Sequence, residues 1–409
     1  MKEIKLASSR IIDNYTKLRS KNDYKELCFE ERMNLADELL YDLKSKDHYM
    51  YRIVVDEVVK NSTINQMINF ASNDYLSFKD NPQIIREVNH ANFKFGVGAG
   101  SVPMFSGTFS VHQKLEEKLA KFVGSESAIV FNSGFSANYG ILSALLTSDD
   151  IAILDTYVHA SIIDGCQHTN VSYFLHNDPE SLERTLIKNK KYKNKIVVIE
   201  GVYSMDGDLV NLDEIILIGR KHGAIIMIDE SHSIGVVGEK GRGAQYLKEA
   251  SERADIVTGS LGKALGGIGG FVAGSQKLIN LLEITSRTFI YSTSIPPSSA
   301  AGLIKAIELL ENSDDSLKNL WRNIEYFKNK MSKIYEVHSD SAVIPFLIKN
   351  DEKLLNLCQK LLSDGIFVNP VFFPVVPKRK SRIRISINAG LKTDEIDYFI
   401  DRIKYHLKM

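Results

Sequence analysis

DIVTGSLGKALGGIGGFVAGS, residues 255–275, holds two short apolar runs, DIVTGS and GFVAGS, around a single lysine set among small residues. A phosphate-binding P-loop needs Gly-x-x-x-x-Gly-Lys-Ser/Thr, but Gly262 and Lys263 are followed here by Ala264, which has no hydroxyl for magnesium. Three readings remain for Lys263: an anion clamp, a covalent amine, or a surface lysine beside a glycine hinge. Similar runs recur upstream at AIVF (128–131), IAILD (151–155), VSYFL (171–175), KIVVIEG (195–201) and AIIMIDE (224–230). Stretches of helical length, such as 178–190 and 211–222, lie between most of them. Strands that are apolar throughout, rather than alternating, belong to a sheet covered on both faces. The spacing therefore predicts an α/β fold built on a large, mainly parallel sheet. After a helical stretch at 297–312 the pattern changes to a smaller α/β unit, with strands at VIPFLI (343–348), IFVNPV (366–371) and RIRISI (382–387) and helices near 352–363 and 393–407. We expect an N-terminal arm or cap over 1–65, with weak strand character at YRIVV (51–55), a large ligand-binding domain over 66–305 and a small C-terminal domain over 306–409.

Composition narrows the function classes. Lys plus Arg and Asp plus Glu are equal at 51 each, so no broad field attracts nucleic acid or an anionic membrane. The densest basic runs, KNKKYKNK (188–195) and KRKSR (378–382), are short, and the first reads as a solvated loop. No apolar run reaches the roughly 18 residues of a membrane helix, and the first residues alternate in charge without a signal segment. Cys28, Cys166 and Cys358 are far apart and form no metal-spaced pair. The expectation is a cytoplasmic protein with no integral membrane segment, no metal site and no nucleic-acid partner.

In a doubly wound sheet, ligands sit beyond the carboxyl ends of the strands. The residues that close each run are therefore the ones to inspect. After AIVF comes NSGFSAN (132–138), where Gly134 permits close approach of an anion and Phe135 to Asn138 can open a helix with free N–H groups toward it. Later runs end on His159, on Ser204, on Asp229, Glu230 and His232, and on Ser260 and Lys263. Taken singly, His159 or Asp229 reads as a helix cap and GFSAN as an ordinary turn. One shared ligand explains them together. A nicotinamide dinucleotide is excluded, because no Gly-x-Gly-x-x-Gly follows an early strand and GIGG (267–270) precedes one. Pyridoxal phosphate needs this assortment: an amine for its aldehyde, an acid for its pyridine nitrogen, and backbone groups with a hydroxyl for its phosphate. The small neighbours of Lys263 then read as room for a moving amine.

The chain also resembles the α-oxoamine synthases, pyridoxal-phosphate enzymes of fold type I that condense an amino acid with an acyl-CoA and release carbon dioxide. The likeness is carried by NDYL (73–76), SGTFSVHQKLEEKLAKFVG (106–124), NSGFSAN, DTYVHASIIDG (155–165), EGVYSMDGDLVNL (200–212), IDESHSIGVVGEKGRG (228–243), GSLGKALGGIGG (259–270), FIYSTSIPP (289–297) and RIRIS (382–386). By this resemblance Lys263 carries the cofactor and removes the substrate's α-proton. Asp229 pairs with the pyridine nitrogen, His232 binds the ring's 3-oxygen with help from Ser204, and His159 stacks on the ring. Gly134, Phe135 and Ser260 take the phosphate, joined by Thr293 from the partner subunit of a homodimer with shared active sites. Asn73 and Arg384 receive the amino acid's carboxylate. The resemblance further implies an acyl-CoA or an acyl-carrier-protein as the second substrate.

Two positions depart from the family pattern. Relatives commonly carry an arginine in the glycine-rich stretch before SG, where GVGAGSVPMFSG (96–107) has Pro103, and a usual His-Thr pair appears as Lys392-Thr393. The first bears on recognition of the acyl donor. IFVNPVFFPVVPKRKSRIRI (366–385) is similar to members that use serine and a long-chain acyl-CoA, and serine is the expected amino acid. FASNDYLSF (70–78) is similar to members that use alanine and a pimeloyl thioester, which is the alternative. Outside the family stand an aminotransferase on the same scaffold, consuming no thioester, and a non-catalytic interaction protein.

Overall fold

The computed structural model of the chain describes residues 27–46, 48–50, 52–56, 58–59, 63–64, 67–373 and 375–408. The seven apolar runs between 127 and 274 form one sheet in the order Ser127–Phe131, Gly270–Gly274, Ile256–Ser260, Ile225–Asp229, Lys195–Glu200, Ile151–Asp155, Asn170–Phe174. Gly270–Gly274 runs antiparallel to both of its neighbours, and the remaining pairings are parallel. That exception follows from chain length. Residues 261–269 are too few for a parallel crossover, which takes roughly a dozen or more, so the chain turns back and Gly270 faces Ser260.

The central strands are apolar at every position because successive side chains enter two different cores. Ile153, Val197, Ile199, Ile226 and Ile228 pack on one face of the sheet. Ala152, Leu154, Ile196, Val198 and Met227 pack on the other. Burial of each such Ile, Leu, Val or Met stabilises the fold by about 1.5–3 kcal/mol. The helices Pro179–Lys188, Leu212–Lys221 and Pro297–Asn312 lie where the periodicity predicts them.

Residues 67–69 and the segments beyond 343 meet in the smaller sheets. Val343–Leu347, Arg382–Ser386 and Asn369–Val371 form a three-stranded antiparallel sheet. The run IFVNPV, read as one strand, is divided: Ile366 and Phe367 instead pair in parallel with Ile68 and Asn69 of the strand Met67–Asn69. Ser386 N–H donates to Phe70 O at 2.7 Å and Ala389 N–H to Tyr75 O at 2.8 Å, so residues 67–76 are built into the sheet that holds Arg384. Most of the expected arm, 1–65, lies outside the described residues; its described part includes the helix Phe29–Ser45. Residues 53–55 of YRIVV are not a strand, and Tyr51 lies outside the described residues. Among the described residues no helix is long and apolar enough to cross a membrane.

Candidate functional site

At the carboxyl ends of the central strands lies a cavity of about 210 Å³. Gly134, Phe135, His159, Asp229, His232, Ser260 and Lys263 all line it. Asn73, Ser204, Arg384 and Thr293 lie outside that lining.

Asp229 closes its strand with a donor on each carboxylate oxygen: Ser231 N–H to Oδ1 at 2.9 Å and Asn138 Nδ2 to Oδ2 at 2.7 Å. Asn138 is itself held, because its Oδ1 accepts from Thr258 Oγ1 at 2.7 Å and its Nδ2 also donates to Ser161 Oγ at 3.0 Å. Ser161 N–H in turn donates to Nδ1 of His159 at 3.2 Å. A neutral imidazole so bound carries its proton on Nε2. Burial pushes the His159 pKa below its ordinary value, with the Lys263 charge acting the same way and Asp229 against it. Phe135 meets the His159 ring edge-on, with centroids 6.4 Å apart.

His232 is buried and shares a 2.7 Å hydrogen bond between Nδ1 and Tyr75 Oη. Burial, reinforced by the charges of Lys263 and Arg384, holds its pKa well below the usual imidazole value. The same Tyr75 hydroxyl accepts from Arg384 Nη2 at 3.2 Å, which joins the cavity to the smaller sheet. Arg384 is only 5 % exposed. It donates through Nε to Ser204 O at 2.6 Å and through Nη1 to Asn73 Oδ1 and Ser386 Oγ, both at 3.0 Å. Those bonds occupy four of the five guanidinium N–H groups, which leaves one on Nη2 for a ligand.

Lys263 lies in the turn after Ile256–Ser260. Burial pushes its amine down to about 8, against the raising influence of Asp229 and Glu200 and with help from Arg384. A lysine so placed is a usable nucleophile and base near neutral pH. At two of the glycines that follow it, packing adds a cause to the room for movement read from the sequence. A Cβ on Gly266, whose φ is +69°, would lie 2.8 Å from Lys79 N, and one on Gly267 would lie 2.6 Å from Leu303 Cδ2. Close packing against backbone and a positive φ require glycine at 266, and at 267 a side chain would displace Leu303. Opposite, the helix Gly134–Leu145 is capped by Ser133, whose Oγ accepts the Ser136 N–H at 3.0 Å. The amides of Gly134 and Phe135 have no acceptor within the helix. A Cβ on Gly134 would lie 3.0 Å from Ser260 Cβ and fill the gap between that helix and the strand end.

Thr293 is exposed, and its carbonyl accepts from Asn132 Nδ2 at 2.5 Å. Tyr75, Asn138, Ser161 and Glu200 are site residues that sequence reasoning did not single out. Glu200 had a signal: it ends KIVVIE as Asp229 ends AIIMID.

A fixed acid, a depressed amine and a glycine-opened helix start facing one cavity fit the pyridine, aldehyde and phosphate of a single cofactor. The fold and site are those of a pyridoxal-phosphate enzyme of fold type I. The chain belongs to the aminotransferase class I and II family, whose model matches residues 65–403, and within it to the α-oxoamine synthases, which are C-acyltransferases. It is 37 % identical over 373 residues to 8-amino-7-oxononanoate synthase of Thermoanaerobacter pseudethanolicus, covering 89 % of this chain and 94 % of that one. With 8-amino-7-oxononanoate synthase 1 of Bacillus subtilis the identity is 39 % over 348 residues, covering 84 % and 89 %. Among solved structures, serine palmitoyltransferase of S. paucimobilis superposes with a TM-score of 0.87 at 31 % identity, covering 92 % of this chain and 97 % of that one.

Proposed function

We propose that this chain joins alanine to a pimeloyl thioester with loss of carbon dioxide, giving 8-amino-7-oxononanoate. The reaction class rests on the Lys263 amine, lowered to about 8 by burial in a cavity that also holds Asp229. The substrate pair rests on the relatives' name, read chemically. In 8-amino-7-oxononanoate, carbons 1 to 7 are a dicarboxylic acyl group, and carbons 8 and 9 with the amine are alanine stripped of its carboxylate. The serine and long-chain reading draws on the structural neighbours, which are less identical in sequence. Purified protein should therefore release thiol fastest with alanine and pimeloyl thioester. Faster turnover of serine with palmitoyl-CoA would reverse the substrate assignment and leave the reaction class standing.

Bound pyridoxal phosphate supplies an aldehyde for an amine and a ring that draws electron density from the substrate's α-carbon. Lys263 Nζ takes the α-proton and returns it at the end. Asp229, held by Asn138, would keep a proton on the pyridine nitrogen. With the cofactor bound, His232 would meet the ring's 3-oxygen, Ser204 would assist from outside the cavity lining, and His159 would cover the ring. Gly134, Phe135 and Ser260 would hold the phosphate. The free N–H of Arg384 Nη2 and the amide of Asn73 receive the substrate carboxylate, which orients the bond that breaks.

By the family resemblance Thr293 would serve the phosphate of a second copy of the chain, and the exposed apolar side chains in the segments around it suit one. Phe105 and Tyr291 are 85 % and 71 % exposed. Ser294 N–H donates to Ser101 O at 3.1 Å, which ties the 291–294 and 101–105 segments together. Apolar surface of this kind is covered in stable proteins. We read the protein as a cytoplasmic homodimer, with the large and small domains dividing near residue 305. Sedimentation should give about twice 46.0 kDa, and a fully active monomer would remove Thr293 from the site.

A further inference from the structure

Two carboxyl groups end neighbouring strands beside the cavity. Glu200 and Asp229 are direct register partners, 2 % and 4 % exposed, and both line the cavity wall. Their surroundings differ. Each oxygen of Asp229 receives an N–H. On Glu200, Oε2 accepts one long bond from Ser204 N–H at 3.3 Å, and Oε1 is buried without a partner. A buried carboxylate oxygen that no donor meets is costly, and two such anions side by side are more so. The better-solvated member of such a pair keeps the charge, and the other takes a proton.

We propose that Glu200 is a neutral carboxylic acid in the working protein, a positioning residue whose neutrality leaves Asp229 as the one anion facing Lys263. The groups that bear on Glu200 are Asp229, Lys263, Tyr203, the Ser204 amide that bonds Oε2, and the His159 amide, which makes no hydrogen bond to Oε1. Burial, with the Asp229 charge acting the same way, raises its pKa well above the usual carboxylate value, while Lys263 and the two amides pull against that. The effect on the amine is reciprocal. An ionised Glu200 would hold the proton on Lys263, and a neutral one releases it. Glu200 keeps its oxygen on the Ser204 amide in either state, so the loop that carries Ser204 is not disturbed by the proton.

This rests on the reading of Lys263 as the reacting amine, but Glu200 can be observed independently of it. In full-length protein, with and without cofactor, the wild-type minus Glu200→Gln infrared difference at neutral pH should contain the carbonyl stretch of a protonated carboxyl. A difference showing only carboxylate stretches overturns the proposal. In Asp229→Asn, loss of the neighbouring charge should move the protonated-carboxyl band to lower pH, and a band that does not move also overturns it; this comparison does not require Glu200→Gln to fold. A third readout is the pH dependence of Lys263 modification by an amine reagent in cofactor-free full-length protein. Its midpoint, which falls below about 8 once the raising influence of an ionised Glu200 is absent, should be unchanged by Glu200→Gln. A fall of about one pH unit, on the order of a tenfold change in reactivity at fixed pH, would mean that an ionised Glu200 had been removed. Should Lys263 prove unreactive while the infrared band is present, the role given to Lys263 fails and the state of Glu200 stands.

Discussion

Replacing His176 with glutamine should remove a stabilising interaction that wild-type protein loses only in alkali. The ring lies between two carboxylates, with Nδ1 3.0 Å from Asp155 Oδ1 and Nε2 2.9 Å from Asp208 Oδ2. It stacks on Tyr157 at 4.1 Å and meets Tyr203 edge-on at 4.4 Å. Burial disfavours the imidazolium, but the hydrogen bonds and charges of Asp155 and Asp208 outweigh it and raise the ring to about 9. Because the folded value lies above the ordinary 6.5, the stabilisation is complete below that pH and disappears as pH rises through about 9. The linkage over that interval is worth about 3 kcal/mol at most, and the side chains of His176 and Asp208, 21 % and 29 % exposed, bring it down to about 1–3 kcal/mol. Urea unfolding of both proteins at about pH 7 and about pH 10 measures it. Wild type should lose that much more stability than His176→Gln between the two. Equal losses would show that the ring is not a cation in the folded protein. The same pair anchors Asp208 in the loop that carries Ser204, so the variant should also bind cofactor less firmly at neutral pH.

Borohydride reduction followed by peptide mapping should place the pyridoxyl group on Lys263, and an adduct on another lysine would displace it from its role. Lys263→Ala should abolish thiol release, since anchor and base disappear together. Asn138→Ala removes a 2.7 Å donor from the Asp229 carboxylate, a bond worth about 1.5–3 kcal/mol, so cofactor titration should show affinity lower by roughly ten- to a hundredfold. Unchanged affinity would mean that Asp229 does not depend on Asn138. Arg384→Lys should weaken amino acid binding by a similar factor for alanine and serine alike, because a lysine keeps the charge but cannot hold Ser204 O, Asn73 and Tyr75 together. A selective loss for one amino acid would place Arg384 beside the side chain rather than the carboxylate.

The central sheet was legible because its inner strands are buried on both faces, which keeps their interior positions apolar, whereas the edge strand Asn170–Phe174 carries Asn170, Ser172 and an exposed Tyr173. Ile151, Ala152, Ile153 and Leu154 need no alternation when both directions lead to a core. The residues that close these strands were legible for a related reason: a polar group directly after such a run is where burial ends. Asn138 was hidden because it is an interior helix residue whose partners, Asp229 and Thr258, lie 91 and 120 positions away. Tyr75 was hidden likewise, since its hydroxyl meets His232 and Arg384 across 157 and 309 positions. The division of IFVNPV could not be read from its pattern, because the two halves differ in which sheet recruits them and not in hydrophobicity.

The pairing of residues 67–76 with the strands beyond 366 sets an order of events during synthesis. Asn73 leaves the ribosome early and meets Arg384 only after a further 311 residues have been added. The whole seven-stranded sheet, which ends at Gly274, is available for folding well before that. Domains fold largely as they emerge, and closing so long a loop is slow even though the added entropy grows only gently with length. The part of the site that holds Lys263 and Asp229 can therefore form on the nascent chain while the part built around Arg384 is still missing, and the early strand Met67–Asn69, already paired with Thr63–Ile64, gains its second neighbour only when Ile366 and Phe367 arrive.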